Sequence, residues 1–127
     1  MSTAGLKKPA GGAGLNEKVN NSSYNKNLSQ LYCRVNALCQ RWDMTREDFA
    51  RAASVYALIF RDSAPRHIQL LYTGKPSLYS EHGKQLALAF FLVYMEASER
   101  LAALNDPADL DARECWGIAI DLAGGTP

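Results

Sequence analysis

The chain has 127 residues, of which 47% are hydrophobic and 21% charged, and its formal net charge is +1. That length fits one domain, and the charge balance excludes a strongly basic nucleic-acid coat. The charge is uneven, however. Residues 85–127 carry Arg100 and Arg113 against seven acids, so the basic residues concentrate in the first two thirds. A surface of one sign can face a polyanion even when the total is near zero.

Residues 1–26 are rich in Gly, Ala, Asn, Ser and Lys and follow neither the helical nor the strand period. Such a segment buries too little to offset its ordering entropy, and a disordered tail is expected, ahead of a single domain at 27–125. The other reading is a basic arm built on Lys7, Lys8, Lys18 and Lys26. The opening residues lack the apolar stretch of a secretory signal. The longest apolar run, 86–95, is half of what a bilayer crossing needs. The three cysteines, Cys33, Cys39 and Cys115, are odd in number and irregular in spacing. They read as buried reduced thiols, which points to the cytoplasm.

The first helix is predicted over 28–42, where Leu28, Leu31, Tyr32, Val35, Leu38, Cys39 and Trp42 fall on one stripe. The second spans 45–61. Thr45 is its N-cap, and Glu47 and Asp48 suit the positive end of the dipole. Its apolar positions are Phe49, Ala52, Ala53, Tyr56, Leu58, Ile59 and Phe60. A short third helix is expected over 65–73, with Ser63 as N-cap, Pro65 in its first turn and Gly74 ending it. The longest pattern runs over 77–104, starting as late as Ser80 because Gly83 weakens its first turn. It is apolar nearly all round at 86–95, as a central buried helix is. Asn105-Asp106-Pro107 breaks the chain before a final amphipathic helix that Gly124 and Gly125 stop. The expected fold is all-α, a compact five-helix domain.

Nothing in this pattern calls for catalysis, a cofactor or a metal. The only histidines, His67 and His82, are far apart, and no Cys lies within four residues of another Cys or His. Phosphate-binding and dinucleotide fingerprints are absent. Asp109, Asp111 and Glu114 do not follow the calcium-loop order and fit an acidic helix start.

The stretches "MTREDFARAASV" and "APRHIQLLYTGKPSLYSEHGKQLALAF" give the order helix, short helix, Gly-Lys-Pro turn, apolar helix. This resembles the lambda-repressor or Xre-type helix-turn-helix domain, with an extended connection "SVYALIFRDSAP" between the two helices. Thr45, Glu47, Phe49 and Ala50 stand where that family's second helix opens. Ile68, Leu71 and Gly74 stand where its recognition helix packs and ends. The resemblance implies a DNA-binding regulator that acts as a dimer on double-stranded DNA. In such a motif the first turns of the reader helix reach the major groove. Arg66 and Gln69 suit guanine and adenine edges, with His67 beside them. Ser63, Thr73, Lys75 and Lys84 suit phosphates. The plainer reading is that Arg66, His67 and Gln69 solvate the outer face of a connector. The last helix has apolar residues on more than one face, so Trp116 and Ile120 belong either to the core or to a homodimer seam. The alternative function is a helical adaptor, chaperone or inhibitor, docking a protein partner through the long or last helix. Convergence of Arg34, Arg66, Lys75 and Lys84 around the short helix would favour DNA. Scattered cations and an exposed apolar patch would favour the adaptor.

Overall fold

A computed structural model describes residues 15–73, 80–105 and 110–124, with side chains from residue 28 onward. Within them the chain is all-α, with five helices and no strand. They are α1 (Leu15–Trp42), α2 (Arg46–Ile59), α3 (Arg66–Leu71), α4 (Glu81–Ala103) and α5 (Ala112–Leu122), with a 3-10 turn, Arg61–Ser63, between α2 and α3. α1 begins at Leu15, inside the stretch where composition predicts a disordered tail to residue 26. Adding residues to an existing helix costs far less than nucleating one, so a polar stretch can extend α1 backwards without an apolar period of its own.

Side chains close the helix ends. The Thr45 hydroxyl accepts from the Asp48 N–H at 3.0 Å, Ser80 accepts from the Gly83 N–H at 3.0 Å, and Asp111 accepts from the Arg113 N–H at 3.0 Å. α1 stops at Asp43, which adopts φ 53°, and the Met44 N–H turns back to the Cys39 carbonyl at 2.9 Å. The cap expected at Ser63 is not formed. Ser63 lies in the 3-10 turn, and the α3 amides of Ile68 and Gln69 both reach the Pro65 carbonyl at 2.9 Å.

α4 is the axle of the domain, as its all-round apolarity predicts. Leu86, Ala89, Phe90 and Leu92 are fully buried on it. Phe91 meets Phe49 at 4.9 Å and Tyr56 at 4.7 Å between ring centres, which fastens α2. Trp116 of α5 stacks on Phe90 at 4.1 Å, and its indole N–H donates to the Phe60 carbonyl at 2.9 Å. One side chain thus joins α5, α4 and the end of α2. α1 packs through Leu31, Val35 and Leu38 and is clamped to α4 by polar pairs. Arg34 pairs with Glu96, and Arg41 with Glu99 at 2.8 Å. Glu99 also accepts from the Trp42 indole N–H at 2.8 Å. The Arg41 guanidinium beside Glu99 holds its carboxyl below the usual range, with the Trp42 N–H acting the same way. Among the described residues no helix is long and apolar enough to cross a membrane.

Candidate interaction site

α3 is built around two anchors. Ile68 and Tyr72 are buried, and the Tyr72 hydroxyl donates to the Gly83 carbonyl at 2.8 Å on the first turn of α4. Burial pushes the Tyr72 phenol well above its ordinary value, so it remains a donor at all physiological pH. The last carbonyls of the helix are occupied: Arg61 donates to the Tyr72 carbonyl at 3.0 Å and the Thr73 hydroxyl to the Leu70 carbonyl at 2.8 Å.

These contacts sort the residues expected to touch DNA. Arg66 and His67 are exposed and have no partner among the described residues. Gln69 is spent on the chain itself, because its amide donates to the Ala64 carbonyl at 2.8 Å and to the Asp62 carbonyl at 3.3 Å. That bond ties α3 to the preceding turn. Thr73 caps its own helix, and Ser63 is half-buried in the 3-10 turn. Lys75 lies outside the described residues.

Lys84 is exposed on the first turn of α4, at a cleft of about 500 Å³ that also takes in Tyr32, Arg46, Arg51, Glu81 and Leu88. Arg46 lies over the Tyr32 ring at 5.4 Å, and Arg51 pairs with Asp48 at 3.0 Å. Arg34, one of the cations that convergence on α3 would need, is held by Glu96 on the far half of α4. The basic side chains are therefore divided between a clamp, a cleft and the start of α3.

Trp116 and Ile120 do not form a seam. Trp116 is 0% exposed and Ile120 8%, so both belong to the core of the chain. The reason is the stack on Phe90, which draws the apolar face of α5 inward.

The exposed apolar surface lies elsewhere. On α2, Phe49, Ala53 and Ala57 face the core, while Val55, Leu58 and Ile59 are 53%, 44% and 63% exposed. Leu58 and Ile59, counted among the apolar positions of this helix, are thus not core residues. Helical spacing explains the correction. At about 100° per residue, positions 55 and 58 fall opposite the stripe set by 49, 53 and 60. Position 59 falls to one side of that stripe. The signal was in the spacing, and residue type alone obscured it. Charged groups bound this face: Asp48 and Arg51 on the turns before Val55, and Asp62 one turn after Leu58. An apolar centre with a polar rim is the anatomy of a protein interface.

Comparison of the chain with protein families, with characterised proteins and with solved structures finds no match. Among the described residues no group of His, Cys, Asp or Glu is placed to hold a metal ion.

Proposed function

We propose that the protein is a small helical interaction module, an adaptor or inhibitor with a binding rather than a catalytic role, and that the outward face of α2 is its docking surface. The observation that carries this is the set of three large aliphatic side chains, Val55, Leu58 and Ile59, turned to solvent at consecutive helical spacing. Side chains of this size side by side on one helix face cost free energy in water, and covering them is the ordinary source of affinity. Three free thiols fit action in the cytoplasm. The test is recovery of a partner from the source cell with the wild-type chain and with Ile59→Asp. A protein recovered by the first and lost by the second, and binding again when both are pure, supports the assignment. Equal recovery by both chains removes α2 as the docking face.

A second reading is supported by Arg66 and His67, which stand exposed at the start of α3 with no partner among the described residues. This is the DNA-binding regulator that the helix-turn-helix resemblance implies. It needs base contacts from a six-residue helix whose Gln69 is already bonded within the chain. Anisotropy with duplex DNA across a salt series tests it. Affinity that falls steeply with salt is the signature of phosphate contacts. Absence of binding at low salt removes it.

A further inference from the structure

The outward face of α2 carries a pattern that selects among occupants. Arg51, Val55, Leu58 and Asp62 are spaced four, three and four residues apart. That is the spacing of a seam between two helices. The two central members are aliphatic and half-exposed. The outer two are charged and opposite in sign, Arg51 at one end and Asp62, in the 3-10 turn that follows α2, at the other.

The geometry points to a second copy of this chain as the occupant, with the two α2 helices antiparallel about a two-fold axis. An axis between residues 56 and 57 sets Val55 against Leu58 of the copy and Arg51 against Asp62 of the copy, each twice. The face is then complementary to itself, as a two-fold contact requires. Parallel pairing sets Arg51 against Arg51 and Asp62 against Asp62, and like charges across a contact are unfavourable. The charge order therefore fixes the orientation as well as the partner.

Asp62 has no ion pair among the described residues. Arg51 has only the pair with Asp48, in which the two side chains are 71% and 54% exposed. An ion pair that open to water is cheap to exchange. Ile59 flanks the seam, and with the axis placed there it lies opposite Ser54 of the copy.

This inference rests on α2 being the docking face and adds what docks. The test is sedimentation velocity of the full chain over a range of concentrations at low and physiological salt. The expected result is a reversible monomer–dimer equilibrium. Arg51→Asp and Asp62→Arg should each weaken it by about tenfold or more, since each sets like charges together twice. The double variant Arg51→Asp with Asp62→Arg should restore dimerisation. Circular dichroism of each variant confirms that the helices persist. A monomer at every concentration overturns the inference, and so does a dimer indifferent to both single changes or a double variant that fails to recover. If the chain is monomeric while Ile59→Asp still loses a different protein, only the second copy is overturned. If neither is seen, the docking face falls as well.

Discussion

Single side chains here do work that their residue type does not announce. Gln69 has the chemistry of a base reader, yet its amide joins α3 to the carbonyls of Asp62 and Ala64. Gln69→Ala should therefore cost about 1 kcal/mol in urea unfolding, because two carbonyls lose their donor. Arg66→Ala, one turn earlier and exposed, should stay within about 0.5 kcal/mol. Equal costs for the two would contradict the internal role of Gln69. Asp43 is another such case. It ends α1 with a positive φ that glycine adopts freely. Asp43→Gly is expected to stabilise the fold by about a few tenths of a kcal/mol, read as a slightly higher thermal midpoint, and a loss would mean that the carboxylate matters more than the backbone. Neither role was legible in the sequence. The bonds of Gln69 depend on a 3-10 turn that brings the carbonyls of Asp62 and Ala64 back towards α3, and periodicity does not encode such a turn.

At the scale of elements, what the sequence states well is where α2, α4 and α5 begin and which helix is central. Thr45, Ser80 and Asp111 cap the helices that follow them. The unbroken apolar run 86–95 marks α4 as the axle. The faces were less legible where one helix is apolar on two sides, as α2 and α5 are. On α5 the stack of Trp116 on Phe90 decides the matter, and only the packed structure contains it. The clamp between α1 and α4 was likewise invisible, since Arg41 and Glu99 are 58 residues apart. The clamp has a pH dependence with a definite sign. The Glu99 carboxyl titrates lower in the folded chain than in the unfolded one. Its contribution is complete above the unfolded glutamate range and is lost as the pH falls through the folded value. Glu99→Gln should therefore lower stability at neutral pH and flatten the acid limb of the stability curve. An unchanged acid limb would show that the clamp is too solvated to matter.

The whole molecule depends on few attachments. α1, α2 and α5 pack on α4, and α5 and the end of α2 reach each other largely through Trp116. Truncating that indole removes a buried aromatic and leaves the Phe60 carbonyl without its donor. Trp116→Ala should cost about 3–5 kcal/mol, a large share of the about 5–15 kcal/mol typical of a domain. Trp116→Phe retains most of the stacking and should cost clearly less. A thermal midpoint for Trp116→Ala near that of the wild type would mean that α5 is not integral to the core. At this scale the fold class was legible, because composition and apolar spacing report on burial. The outward face of α2 was legible only in the helical spacing, because Val55, Leu58 and Ile59 look like core by residue type.

The three thiols sit at two depths. Cys33 is exposed, while Cys39 on α1 and Cys115 on α5 are buried, and burial pushes both of the latter up from the ordinary thiol range. A thiol-reactive dye should therefore label the native chain once and quickly, at Cys33, and the unfolded chain three times. Under native conditions the two slow sites become clocks for opening, one on α1 and one on α5. Matching rates at Cys39 and Cys115 would mean that the domain opens only as a whole. A faster Cys115 would mean that α5 lifts away while α1 stays in place, and it would give the free energy of that partial opening directly.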